Sequence, residues 1–282
     1  MNTKPLTVLP VHAPVREHNF DLYATIVEAI ADSGEILQNG DVVAVSSKYT
    51  AISEGRIVDL DTVQPGERAQ DLAQRYNVDA RMAQLIVEEA DHIFGGIQMG
   101  FLLTSIQGII SPNAGLDRSN IPNGKVVLFP ERPYQAAADI RRELRARLGV
   151  DVGVILTDSW LMPGRLGTSG VALATAGFRP IQDERGKIDL FGNPMRVTQR
   201  GIADSISVCA QMVMGERDEA TPIAIVRNTG VQLVDVELSA ADVAVPWEMC
   251  IYIESLTLGL LPDGAPRVAL SATLAKHNGV SA

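Results

Sequence analysis

Only two cysteines, Cys209 and Cys250, occur in 282 residues, both in apolar contexts and too far apart to form a zinc motif. They are expected to be buried thiols. Basic charge is scarce as well: 24 Lys and Arg against 34 Asp and Glu leave a formal net charge of −10. A phosphate-backbone binder needs clustered Lys and Arg, so nucleic acid is excluded as a partner. Long apolar runs are missing too, and none approaches the roughly 20 residues that span a bilayer. Met1-Asn2-Thr3-Lys4-Pro5 leads only into Leu6-Thr7-Val8-Leu9, which is not a signal-peptide pattern. A cytoplasmic protein with no membrane partner is expected.

The common nucleotide signatures are also lacking. No G-x-x-x-x-G-K-[ST] occurs, and no strand is followed by G-x-G-x-x-G, which rules out a P-loop enzyme. His12, His18, His92 and His277 are scattered without metal spacing, and no Ser or Thr near Asp158 has an adjacent base. Histidine-metal and hydroxyl-nucleophile chemistry therefore have no foothold.

What is present is enough apolar residue, 46% of the chain, for one large core or two modest ones. Ile26, Ile30 and Leu37 recur at helical spacing over 23–37, with Asn39-Gly40 as a stop, and Asp41 to Ser46 reads as a buried strand. Helices are expected at 67–76 and 80–90, the second capped by Asp79. Short apolar runs at 101–106, 109–111 and 126–129 read as strands. Ile140, Leu144 and Leu148 recur every four residues before Gly149, which predicts a helix over 135–148. Residues 152–156 read as a strand delivering Asp158 at its end, 202–213 as a helix stopped by Gly215, and 222–226 as another buried strand. Beyond about Asn228, with Pro246, Pro262 and Pro266, the pattern loosens into an extension packed on the core. This mixture predicts an α+β fold with a helical insertion between strands, rather than a regular βαβ succession.

Three acidic stretches fall at element ends. Asn113-Ala114-Gly115-Leu116-Asp117-Arg118-Ser119-Asn120 reads as a tight turn between strands, Thr157-Asp158-Ser159 ends a strand, and Met214-Gly215-Glu216 ends a helix. Oxygen donors of this kind suit Mg²⁺ or Mn²⁺, cations often shared with nucleotide phosphates. Taken singly, Asp117 reads equally as the closure of an Asx turn and Glu216 as a solvated charge. Gly164-Arg165-Leu166-Gly167-Thr168-Ser169-Gly170 is either an anion-cradling loop or a plain turn. With no nucleophile in view, oxygen-ligand metal chemistry points to phosphoryl transfer or a phosphate-activated ligation.

In order, Ser53-Glu54-Gly55-Arg56, the octad 113–120, Thr157-Asp158-Ser159, Asp189-Leu190-Phe191-Gly192 and Met214-Gly215-Glu216 resemble the coenzyme F420-0:γ-glutamyl ligase family. The resemblance covers about residues 1–230, leaving 231–282 as a C-terminal extension. It implies a two-lobed α+β fold with mixed and antiparallel sheets, an intertwined homodimer, and GTP with two divalent metal sites. By the same resemblance Asp117 is shared by two metals, Asp158 binds one, and Ser159 and Glu216 bind the other. GTP contacts would come from Ala13, Pro14, Val15 and Arg16, from Ser47 and Lys48, from Asn120, and from Met214, Gly215, Glu216, Arg217 and Asp218. Asp117 and Asp158 would carry the chemistry, with Arg165 as a compensating cation. The implied reaction activates an acceptor carboxylate with the GTP γ-phosphoryl group, and L-glutamate's amine attacks the acyl phosphate.

Two positions depart from the family. Ile52 stands where a lysine is usual, and Met162 where the Gly-Arg pair would fall. The departures leave open a related amide ligase with another acceptor, such as a folate-type polyglutamylating enzyme, and a nucleotide- or metabolite-binding relative without turnover.

Overall fold

The structure is a computed structural model that describes residues 4–258. In chain order it comprises β1 (Thr7–Val11), α1 (Leu22–Asp32), β2 (Val42–Ser46), α2 (Ser47–Ser53), β3 (Ile57–Asp59), α3 (Glu67–Tyr76) and α4 (Ala80–Glu89). Then come β4 (His92–Ile97), β5 (Phe101–Ile106), β6 (Ile109–Pro112), β7 (Lys125–Val127), α5 (Pro133–Leu148), β8 (Gly153–Leu161) and β9 (Thr168–Ala176). Last among the described residues come β10 (Ile181–Asp183), β11 (Gln199–Gly201), α6 (Ile202–Met214), β12 (Ile223–Arg227) and α7 (Ile251–Leu258). The fold is α+β, as the sequence led us to expect. Two compact units form: residues 4–63 with 115–242, and residues 64–114 with 243–258.

The first unit is built on a five-stranded mixed sheet of order β1-β12-β2-β8-β9, in which only β2 and β8 run parallel. Its central strands carry continuous apolar runs, Val42–Val45 of β2, Ile223–Val226 of β12 and Val154–Leu156 of β8, because both faces are covered there. Alternate residues of β2 divide between them: Val43 and Val45 pack with Ile26 and Ile30 of α1 and Ile140 and Leu144 of α5, whereas Val42 and Ala44 pack with Ile206, Ala210 and Met214 of α6. Helices on both faces make this a three-layer unit with two cores.

The helix at α5 has the expected C-terminus, Gly149 in the left-handed conformation at φ 68°. It starts two residues earlier than expected, at Pro133, because proline's missing N–H costs nothing in a first turn. α1 stops at Asp32, short of the expected 37, because Ser33 and Gly34 turn the chain out of the helix.

The second unit contains the helix pair α3 and α4, packed on each other, and the antiparallel sheet β4-β5-β6. α3 has the expected bounds, and Asp79 caps α4 by accepting from Arg81 N–H at 2.8 Å. Of the expected extension, residues 259–282, with Pro262, Pro266 and His277, lie outside the described residues. Among the described residues no helix is long and apolar enough to cross a membrane.

Candidate functional site

β8 does not end before Asp158 but runs through it to Leu161, paired with β9 from Thr168. The glycine-rich stretch is thus a turn at 162–167 followed by the first residues of β9. The reason is a bulge: the register between β8 and β9 shifts between Leu156 and Thr157. A bulge re-aims side chains next to it, and here Thr157, Asp158 and Ser159 follow immediately. Gly170, opposite Ser159, lies against α6 so closely that a Cβ would sit 2.7 Å from the Ser207 carbonyl carbon. Only glycine permits that approach.

α6 presents the facing wall. Ser207 and Gln211, one turn apart, form a polar pair on a helix face that otherwise buries Ala203, Ile206 and Ala210. Gln211 Nε2 donates to Thr157 Oγ1 at 3.2 Å, and the Thr157 and Ser207 hydroxyls hydrogen-bond each other. This buried network locks β8 to α6 beneath the acidic residues. At the end of α6, Gly215 has φ 72° and ψ −177°, a combination essentially confined to glycine. A side chain there would also collide with the Glu219 carboxylate. The chain turns sharply and aims Glu216 back, so that Ser159 Oγ donates to its Oε2 at 3.2 Å.

Asp117 is fixed from a third direction. Its backbone bridges Val127, with N–H···O distances of 3.0 and 2.9 Å. Ser119 donates to the carboxylate from its N–H at 2.7 Å and from its hydroxyl at 2.9 Å. This is the Asx turn considered above, so the turn and the site are the same feature. The Asn120 side-chain amide donates to the Glu216 carbonyl at 3.2 Å and ties the two loops together. Lys48, from α2, places Nζ 2.7 Å from Asp117 Oδ2.

These residues border one cavity of about 390 Å³. Of the candidate residues, Ala13, Pro14, Val15, Arg16, Lys48, Asp117, Asn120, Asp158, Ser159, Met214, Gly215, Glu216, Arg217 and Asp218 line it. Ser47 is buried and lies outside the lining, and Arg165 is exposed in the turn after β8, also outside it. The lining also includes Tyr49 and Gln211, which the sequence reading did not single out, and Thr157, to which it gave no role. Trp160 was missed as well, although its Nε1 donates to Asp158 Oδ2 at 3.1 Å. Ile52 borders the cavity, yet its side chain packs with Ala51, Val127 and Ile57 and is only 4% exposed.

The two aspartates are held in opposite electrostatic states. Burial pushes the Asp158 carboxyl up to about 6, and the nearby Asp117 charge pushes in the same direction. Burial also opposes ionisation of Asp117, but the Lys48 ammonium and the Ser119 hydrogen bonds outweigh it and hold that carboxyl below its usual range. Unlike charge is therefore wanted beside Asp158, where the protein supplies little.

The donor set of Asp117, Asp158, Ser159 and Glu216 consists of hard oxygens and fits Mg²⁺ or Mn²⁺. Among the described residues no three His, Cys, Asp or Glu side chains yet converge closely enough to hold a metal ion. Asp117 faces Lys48, and Asp158 faces Ser159 N–H and Trp160. The four donors line one cavity.

An α+β protein with oxygen donors and basic side chains around one cavity has the makings of an enzyme that handles anions. Comparison with known proteins makes this specific. The chain belongs to the F420-0:gamma-glutamyl ligase family, whose model matches residues 10–228. It is 39% identical over 206 residues to the coenzyme F420:L-glutamate ligase of Methanopyrus kandleri, covering 72% of this chain and 80% of the relative. The enzyme of the same name from Methanothermobacter thermautotrophicus is 33% identical over 211 residues, 74% of this chain and 82% of the relative. That of Halobacterium salinarum is 39% identical over 215 residues, 74% and 81% respectively. By family, the protein is a ligase.

Proposed function

We propose that this chain is a GTP- and divalent-metal-dependent ligase that adds L-glutamate to the carboxylate of an F420-0-type acceptor through an acyl phosphate. The observation that carries the reading is the meeting of Asp117, Asp158, Ser159 and Glu216 on one cavity that Arg16, Lys48 and Arg217 also line. The names of the relatives support glutamate as the amino acid.

The chemistry needs such a site because a carboxylate is a poor acyl electrophile. Transfer of the γ-phosphoryl group converts it to an acyl phosphate, the glutamate amine attacks the carbonyl carbon, and phosphate leaves. The products are an amide, GDP and phosphate. Asp117 and Asp158 would hold one cation, and Asp117, Ser159 and Glu216 the other. Bound there, the cations would neutralise charge on the transferring phosphoryl group. Arg16, Lys48 and Arg217 supply positive charge toward the phosphates, and the Asn120–Glu216 tie sets the spacing of the two loops. The test is mass spectrometry of purified protein incubated with F420-0, GTP, Mn²⁺ and glutamate. A product heavier by one glutamyl residue and dependent on GTP is expected; no such product would sink the proposal.

Ile52 favours keeping a second acceptor class, a folate-type pterin glutamate, in the same assay, because an apolar wall stands where the family carries a cation. Ile52→Lys is expected to destabilise the fold without tightening GTP binding, because it would bury an unpaired ammonium among Ala51, Ile57 and Val127. Calorimetry checks this. Tighter binding in the folded variant would mean that position 52 faces the nucleotide after all.

A homodimer is part of the proposal. Leu190, Phe191 and Val197, between β10 and β11, are 100%, 90% and 84% exposed, an apolar surface that a second copy would cover. Light scattering should give about twice the chain mass of 30.3 kDa. A clean monomer at micromolar concentration would rule the homodimer out.

A further inference from the structure

We propose that the Lys48 ammonium is a built-in cation of the cavity: it is held on Asp117 until a divalent ion takes that carboxylate, and it then passes to the nucleotide phosphates. Metal and nucleotide would thereby strengthen each other's binding. The proposal rests on the metal-ligand reading of Asp117 given above.

The geometry points to a transferable cation. Lys48 Nζ lies 2.7 Å from Asp117 Oδ2, 2.9 Å from the Ser119 carbonyl and 2.8 Å from Ser119 Oγ. All three ammonium hydrogens are thus committed. Asp117 Oδ2 in turn accepts from both Lys48 and the Ser119 hydroxyl, and the ammonium 2.7 Å away repels a divalent ion, so coordination there competes with Lys48. The amine gives way to the ion, and a lysine stem has the reach and the rotamer freedom to do so.

Its destination follows from the same cavity. Lys48 borders it alongside Arg16 and Glu216, so a displaced ammonium stays within the space an anionic ligand would enter. Ser119 is the hinge of the device, because its hydroxyl bonds both partners and can keep Asp117 oriented after Lys48 departs. By thermodynamic linkage, whatever the metal gains from a nucleotide the nucleotide gains from the metal. A lysine that served only as a phosphate contact would help the nucleotide equally with or without metal.

The experiment is a calorimetric cycle with GDP and Mn²⁺ as probes, on the wild type and on Lys48→Met. Without Mn²⁺, Lys48→Met is expected to leave GDP affinity within about twofold, because the wild-type amine is occupied by Asp117. In saturating Mn²⁺ it should weaken GDP about tenfold. It should also tighten Mn²⁺ alone about tenfold, since the competing charge is gone. Lys48→Gln, which keeps a donor without the charge, should give the same pattern, and thermal unfolding verifies that both variants fold. The proposal is overturned if Lys48→Met weakens GDP by one factor with and without Mn²⁺, or leaves Mn²⁺ affinity unchanged while Asp117→Asn abolishes it. If Asp117→Asn itself leaves Mn²⁺ binding intact, it is the metal-ligand reading that fails.

Discussion

Asp117→Asn is expected to lower GTP-dependent glutamate addition by about a thousandfold or more while the protein stays folded. The size follows from what the residue would do. Charge that neutralises a transferring phosphoryl group is typically worth about 10³ to 10⁵ in rate, and Asn is neutral and a weak ligand. The fold should tolerate the change because the backbone bridge from Asp117 to Val127 does not involve the side chain. An Asn oxygen can still accept from Ser119 N–H, which now reaches Asp117 Oδ1 at 2.7 Å. The lost ion pair with Lys48 is partly solvated, at 21% and 34% side-chain exposure, and such pairs contribute at most about 1 kcal/mol. Product mass spectrometry, Mn²⁺ titration and a melting curve on the same sample check all three statements. Wild-type Mn²⁺ affinity in the variant would remove Asp117 from the metal site.

The elements that carry this site differ in how far they can be read from the sequence. α3, α4 and α5 announce themselves because helix signals are local: a capping Asp79, a left-handed Gly149 and apolar residues every three or four positions. β2 and β12 are legible as continuous apolar runs because both faces are buried. β9 is not, since Thr168-Ser169-Gly170 carries the composition of a turn and becomes a strand only by pairing with β8 across a bulge. The acidic residues of the site stand out by type and spacing, and the resemblance to a family ordered them. Their partners do not stand out. Lys48 meets Ser119 across 71 residues of sequence, and nothing local in either segment specifies that contact. Two of the missed residues did leave a trace. Trp160 shares a strand face with Asp158 two positions away, and Gln211 falls one helical turn after Ser207 on an apolar face. A polar pair at those spacings inside a buried element is a reason to look for a network.

Asp158→Asn should lower activity and shift stability in a direction that depends on pH. Turnover is expected to fall by about a hundredfold or more, as when one preorganised electrostatic group is removed from a transition-state site. Stability should change with pH. The folded-state carboxyl is raised from the ordinary 3.8 to about 6, chiefly by burial. Its ionised form is therefore penalised in the folded protein by up to about 3 kcal/mol, fully above the folded value and not at all below the unfolded one. Wild-type protein, measured with a chelator to strip divalent ions, should accordingly lose stability as pH rises from about 4 to about 6 through this group. Asn escapes that penalty but can satisfy only one of the two donors that Asp158 accepts, Ser159 N–H at 2.8 Å or Trp160 Nε1 at 3.1 Å. The unsatisfied donor costs about 1 to 2 kcal/mol at every pH. The balance makes the variant more stable than wild type by about 1 kcal/mol at pH 8 and less stable by a similar amount near pH 4. Melting temperatures of the two proteins across that range should cross. Parallel curves would show that Asp158 ionises freely, and the account of a carboxylate held at a cost until a cation joins it would be wrong.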